Sequence, residues 1–551
     1  MQNLKLLGTA AVVAAFSLSA FGEKVVSSNI TTSETWTLAD SPIILEGPIY
    51  VMDGAVLTIE PGVIVRGQPA SAVVTDAGSL IVSRGSQIIA SGTAQQPIIF
   101  TTAAVDVNDD GAYDADGGFA TRWNAGMGLD VFHDADPLNN PLPPYAGWTQ
   151  DASNGAVGAA PYNRGLWGGL ILLGSAPTNV GSIADGVAVG TQSELTDNYF
   201  ENTIEGLIDS EESVYGGSNP NDSSGVVRYV SIRHGGTEIG EGNEINGLTM
   251  GGVGFGTLIE YVEVYLNNDD GYEWFGGTVN TSHLVALFNQ DDSFDIDEGF
   301  TGLGQFWFSL QLDDTATGNH AGEHDGVINS IFVDSINGVP LGVTNTGAEA
   351  RGGLPLAYPT VYNATYIGGG AGHNASYDSG RNDAFRIRDS FGGTYRNSIF
   401  SDFGGSGIRL DADGVDRWLA GDVSFQSNYW YNFANAGDSF VAMSDAVFVG
   451  AGNIRAAEVL NGASGDYAEK RAGKFSNNYT DVDPFVVRRD MSMFSRRTGL
   501  DPRPAGLNGD LAPVTATFFQ SAAYFGAFNP SESLWTDGWT AASGLGVLRS
   551  E

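Results

Sequence analysis

The chain reads as an all-β solenoid, a parallel β-helix whose coils are about 22 residues long. Three observations predict this. "NNDD" at 267–270, "NQDD" at 289–292 and "QLDD" at 311–314 recur at a constant interval of 22 residues. The segments "LVALF" (284–288), "FWFSL" (306–310) and "INSIF" (328–332) keep the same interval, which leaves no room for a helix between them. Third, the 551 residues include 76 glycines and only 16% charged residues, a composition of apolar strands joined by tight turns. A leucine-rich repeat has a similar period but needs leucines at fixed spacing, whereas these units alternate Ile, Val, Phe and Tyr with a period of two. Stacked coils would lay strand on strand at about 4.8 Å and bury alternate side chains in one continuous core.

Taken from the start, residues 1–22 form a short polar segment with Lys5, an apolar run and a small-residue exit at Ala20-Phe21-Gly22, the pattern of a secretory signal peptide. The β-helix is expected over 23–435. Within it, "GAVLTIEPGVIVRG" from Gly54 maps onto "AGSLIVSRGSQIIASG" from Ala77 at an offset of 23, pairing Leu57 with Leu80. Residues 103–162 lack alternation and are rich in Asp, Asn, Gly and Pro, so they are read as a loop insertion. Further strands are expected at "VRYVSIRH" (227–234), "IEYVEVYL" (259–266), "VYNATYIG" (361–368), "YRNSIFSD" (395–402) and "FQSNYWYN" (425–432). Residues 436–551 are expected to cap the last coil, with a short helix at "NIRAAEVLNG" (453–462) and an aromatic-rich cover at 516–539.

Sixty-five acidic residues against 25 basic ones give a net charge of -40, which repels nucleic acid and anionic membrane surfaces and attracts cations. The absence of cysteine excludes disulfides, thiolate metal sites and cysteine nucleophiles. Nothing after residue 22 is long and apolar enough to read as a transmembrane segment.

The segments "RGLWGGLILLGSAP" (164–177), "GVVRYVSIRHGGTEIGEGNEINGLTMGGVG" (225–254), "NNDDGYEWFGGTVN" (267–280), "DDSFDIDEGF" (291–300), "GEHDG" (322–326) and "DPRP" (501–504) resemble a family of exported bacterial proteins. The resemblance implies a right-handed parallel β-helix of the pectate-lyase-like kind, outside the cell or on its surface. It does not imply a particular reaction.

Several residues carry candidate chemistry. Asp106, Asn108, Asp110, Asp114 and Asp116, with Gly111, match the opening of a calcium loop, in which alternate oxygens converge on one ion; Gly117 at the twelfth position excludes a full EF-hand. "DADGVD" at 411–416 is a shorter version. Stacking in register would place Asp269, Asp291 and Asp313 about 5 Å apart, where two carboxylates repel by roughly 3 kcal/mol at an effective dielectric of about 20. The turns are therefore either solvated, or relieved by a divalent cation or by protonation.

The order "NDDG" (268–271), "DD" (291–292), "EHDG" (323–326), "RIR" (386–388) is similar to that of the β-helix polygalacturonases, with Arg388 in the lysine's place and no glycines flanking the histidine. It implies Asp269, Asp291, Asp292 and His324 as acid, base and partner, with Arg386 and Arg388 binding uronate carboxylates. A calcium-dependent lyase with an arginine base is a variant. His320 and His324, beside Glu323 and Asp325, offer either a transition-metal site or a hydrogen-bonded corner. Trp274 and Trp307 are candidate sugar-stacking rings, or core residues. The reading that follows is a secreted or surface β-helix protein with a binding, adhesive or structural role, stabilised by calcium and facing extracellular polysaccharide or another surface component; the alternative is a polysaccharide-degrading enzyme on the same scaffold.

Overall fold

The computed structural model describes residues 23–69, 77–103, 164–179, 201–204, 207, 210–237, 245–311, 318–326, 355–369, 382–433, 452–455, 500–504, 517–544 and 547–548. They form a right-handed parallel β-helix. A nine-stranded sheet forms one wall, and an 18-stranded sheet bends to form the other two. Every vertical pairing between coils is parallel, and the single antiparallel strand pair, Asn202–Thr203 with Val214–Tyr215, is a hairpin outside the stack.

Alternation builds the core. In the nine-stranded sheet one inward column runs Val51, Val82, Leu172, Met250, Trp274, Ile296, His324, Ile387, Leu410, each residue directly over the last. Across the core, Val65, Phe100, Ile232, Val264, Ala286, Ser309, Tyr366, Phe400 and Trp430 form the facing column. Both columns are buried, as period-two side chains on a parallel stack must be.

The bend within the larger sheet is made by residues in the left-handed region: Tyr229, Tyr261, His283, Phe306, Asn363, Asn397 and Ser427, with φ from 47° to 58°. Side chains other than glycine are strained there by about 1–2 kcal/mol each. The aromatic members offset that by stacking coil on coil, with ring centroids 4.5 Å apart for Tyr229–Tyr261, 4.1 Å for Tyr261–His283 and 4.8 Å for His283–Phe306.

Several expectations on register need correction. "LVALF" and "FWFSL" are parallel neighbours, but Leu284 pairs with Trp307 rather than Phe306, because a one-residue-longer turn shifts the coil. The next strands over "FWFSL" are Thr360–Tyr362 and Thr365–Ile367; "INSIF" lies outside the described residues. Near the start, Leu57 pairs with Ile88 and Leu80 with Ile49, so the coil there is 31 residues long and the offset of 23 compared two different walls. The five further strand segments all stack as expected, Val227 over Ile259 and Val361 over Tyr395 over Phe425.

The strand stack also passes residue 435. Ile454–Arg455, expected to open a helix, pairs with Tyr429–Trp430. The turn expected at 411–416 begins a helix, Ala412–Ala420. Residues 517–544 do not cap the last coil but lie along a side wall. Phe525, Phe528, Leu534 and Trp539 cover Tyr265, Val285, Leu287, Phe308, Leu310 and Ile399, which point outward and would otherwise be exposed. The segment starts on Gln305, whose Oε1 accepts the Gln520 N–H at 2.8 Å, passes Asn397, whose carbonyl accepts the Gly526 N–H at 2.8 Å, and ends on Glu263, whose carboxylate accepts the N–H of Ala541 at 2.7 Å and of Ala542 at 3.1 Å. The wall attracts it because these strands are apolar on both faces, which a coil end is not.

Candidate functional site

The outward positions of the nine-stranded sheet carry the chemistry. One outward column runs Tyr50, Ile81, Ile171, Thr249, Glu273, Asp295, Glu323, Arg386, Arg409. Two residues further along their strands stand Phe275, Asp297, Asp325 and Arg388. The face thus passes from apolar, through carboxylates, to arginines along the stack. Its apolar end is covered by the 202–215 hairpin: Tyr215 sits on Gly251, where a Cβ would meet the ring at 2.6 Å, and its hydroxyl donates to Glu298 Oε2 at 2.6 Å.

At the turn entering these strands, each side chain caps the coil above. Asp270 Oδ1 accepts the Asp292 N–H at 2.8 Å, and Asp292 Oδ1 accepts the His320 N–H and lies 3.1 Å from its Nδ1. His320 Nδ1 is also 3.3 Å from Glu323 Oε2. Burial alone would discharge this imidazole, but Asp292 and Glu323 hold its proton and raise it to about 10. Burial likewise opposes ionisation of Glu323, yet His320, Arg388 and Arg386 hold it well below the usual carboxylate range. Asp292 itself is raised, since burial and Glu323 outweigh the imidazolium.

Arg386 Nη1 lies 3.1 Å from Glu323, Arg388 Nε 2.6 Å from Asp325, and Asp411 links Arg386 and Arg409 at 3.1 and 3.2 Å. The other carboxylates are differently placed. Burial, then Asp269, pushes Glu273 well up; burial, then Glu273, does the same to Asp295; burial, then Asp292, to Asp291. Asp297 is pushed up to about 7 by burial and Glu298. Ion pairs hold the carboxylates at the arginine end, whereas Glu273, Asp291 and Asp295 at the other end have no ion-pair partner among the described residues and are pushed toward the protonated form.

The expected site residues divide accordingly. Asp269 and Asp291 come together with Asp270, each bringing one oxygen within 4.8 Å of the others, while the buried Asp292 belongs to a second group with His320 and Glu323; Arg386 and Arg388 lie further along the stack, on Glu323 and Asp325. His324 is not on the outward face. It occupies the third, inward position of Gly322–Asp325, stacks on Tyr395 at 5.6 Å, and its Nε2 is 2.7 Å from the Tyr395 hydroxyl; burial lowers it to about 4. His320 is the histidine of the site. Trp274 and Trp307 form no ligand groove: both are fully buried and stack on each other inside the coil, 5.0 Å apart. Asp313, Asp314 and the loop with Asp106, Asn108, Asp110, Asp114 and Asp116 lie outside the described residues. Glu323 is the expected carboxylate partner of His320, whereas Glu273, Asp295 and Asp297 carry no expectation in the sequence reading, although the sequence holds a signal for them. Aligning "FDID" (294–297), "GEHD" (322–325) and "FRIR" (385–388) by alternation puts the second and fourth residues of each outward and His324 inward.

Fold and face together define a pectate-lyase-like solenoid with a row of ionisable groups on its outer face. The chain belongs to the family described as the pectate-lyase like beta helix domain, which it matches over residues 29–119 and 156–440. No curated protein and no solved structure matches it.

Proposed function

We propose that this chain is an exported β-helix protein that binds a polar extracellular ligand, a polysaccharide or another surface component, on the outer face of its nine-stranded sheet, and that calcium stabilises it. One observation carries the reading: the two long outer faces are treated oppositely. The apolar wall of the larger sheet is sealed by the chain's own residues 517–544, whereas the face with Glu273, Asp295, Asp297, Arg386 and Arg388 keeps ionisable groups partly exposed to solvent. Paired carboxylates and arginines at strand spacing suit the hydroxyls and charged groups of a linear glycan. Export rests on the sequence of residues 1–22 and on the extracellular setting typical of this domain class. Among the described residues no helix is long and apolar enough to cross a membrane.

Binding to a panel of acidic and neutral polysaccharides, measured by calorimetry on the wild type and on Asp297→Asn with Arg388→Met, tests this. The reading predicts binding that the double variant weakens at least tenfold. Equal binding by both proteins, or none to any glycan, would refute it.

A second reading, hydrolase or lyase, is favoured by the closely spaced carboxylates of Asp269, Asp270 and Asp291 and by two arginines further along the same stack. Reducing-end release and the ultraviolet absorbance of unsaturated products decide it. Loss of glycan cleavage in Asp291→Asn, with thermal stability kept, would establish the enzyme.

A further inference from the structure

We propose a hard divalent-cation site of the calcium class, centred on Asp270 at the carboxylate-rich end of the outer face and distinct from the Asp106 loop. Two carboxylate triads share this residue. Asp269, Asp270 and Asp291 each bring one oxygen within 4.8 Å of the others, and so do Asp270, Glu273 and Asp295. Calcium takes oxygens at about 2.3–2.6 Å, so ligands on opposite sides of one ion stand up to about 5 Å apart. The triads are already set at that spacing.

Charge compensation on this face is uneven. Glu323 has His320, Arg386 and Arg388; Asp325 has Arg388; Asp411 has Arg386 and Arg409. No described Lys, Arg or His forms an ion pair with Asp270, Glu273, Asp291 or Asp295. The charges of His320 and Arg388 reach Asp291 and Asp295 only from beyond ion-pair distance, and ionised carboxylates gathered this closely repel by several kcal/mol at an effective dielectric of about 20. A dication removes that repulsion.

Unused acceptors point the same way, independently of the acidic cluster. Asn246 is only 4% exposed; its Nδ2 donates to Glu273 Oε2, and its Oδ1 accepts no hydrogen bond. Asp291 Oδ1 and Asp295 Oδ1 are also shielded from solvent and accept none. Buried acceptors are almost always satisfied, and these three belong to the two triads and to the amide that holds Glu273, where a cation would be met by oxygen ligands only. The donor set has no nitrogen or sulfur, which favours calcium over zinc, and magnesium gives up its water too reluctantly for so many carboxylates. The neighbouring triad of Asp292, His320 and Glu323 is of comparable size but already holds the His320 proton and two arginines.

The test uses the full chain, stripped with chelator and titrated with calcium in a calorimeter, and with terbium read by luminescence, since Tyr272 and Trp274 flank Glu273 and can sensitise a bound lanthanide. No glycan is present, so the result stands whether or not the face binds one. Asp295→Asn and Glu273→Gln should each weaken calcium binding and terbium emission at least tenfold while keeping the wild-type circular dichroism in chelator. Asp106→Ala with Asp110→Ala should leave this binding event in place. Wild-type isotherms in a folded Asp295→Asn or Glu273→Gln protein, or no calcium uptake by the wild type at millimolar ion, would overturn the site.

Discussion

Asp270 and Asp292 stand at the same position of consecutive coils, and the carboxylate of the first accepts the backbone N–H of the second at 2.8 Å. One coil on, Asp292 does the same for His320. The carboxylate ladder suggested by the 22-residue interval is therefore a hydrogen-bonded column that ends in an imidazolium, because the next coil is six residues longer and brings His320, not Asp314, over Asp292.

The first prediction is a pH dependence of stability. His320 is raised from its ordinary value to about 10, so its contribution is complete below about pH 6.5 and is lost as pH rises from there through 10. Glu323 is lowered, so its contribution is present above the usual carboxylate range and is lost in acid. The unfolding free energy should fall from pH 6.5 to 10 by an amount on the order of a few kcal/mol, the melting temperature should fall with it, and His320→Gln should flatten that limb. A wild type and variant with parallel alkaline profiles would contradict the assignment.

The side-wall segment gives the second. Glu263 Oε2 also lies 2.5 Å from the Ser231 hydroxyl, so the carboxylate holds three donors in a buried position. Glu263→Gln should cost about 1.5–3 kcal/mol in denaturant unfolding, because charge-assisted bonds are lost and one donor meets an amide N–H. It should also speed proteolytic removal of the C-terminal segment. Unchanged proteolysis would mean that Glu263 does not anchor residues 541–542.

Core placement of the stacked indoles is checked by truncation. Trp274→Ala should destabilise by about 3–5 kcal/mol through a cavity next to Trp307 and Phe294. Trp307→Phe should cost less and leave any glycan affinity unaltered. A Trp307→Phe protein of wild-type stability with weakened glycan binding would return that ring to the ligand site.

Calcium removal supplies the fourth. If the Asp106 loop binds only in the folded state, excess calcium at about 100 times its dissociation constant adds about 2.7 kcal/mol. Chelator should lower the melting temperature, and Asp106→Ala with Asp110→Ala should remove the share of that shift which Asp295→Asn leaves behind. Identical chelator shifts in the wild type and the Asp106/Asp110 variant would exclude a structural ion in the loop.

The sequence by itself determined the solenoid class, the strand segments and the closeness of Asp269 to Asp291 on neighbouring coils, because alternation and short repeats are local: a strand's inward face is written in every second residue, as in "FDID" and "FRIR". Only the tertiary structure decided which coil lies over which. The rise from Phe294 to its neighbour Gly322 is 28 residues and from Gly322 to Phe385 it is 63, so insertions at the corners, invisible to a fixed period, set the register. That register put Glu323 between Asp295 and Arg386 and turned His324 into the core. It also brought residues 517–544 back against strands far earlier in the chain, from Gly526 on Asn397, 129 positions apart, to Ala542 on Glu263, 279 positions apart, a contact that no local pattern encodes, since its driving force is the apolar area left outward once the coils have stacked.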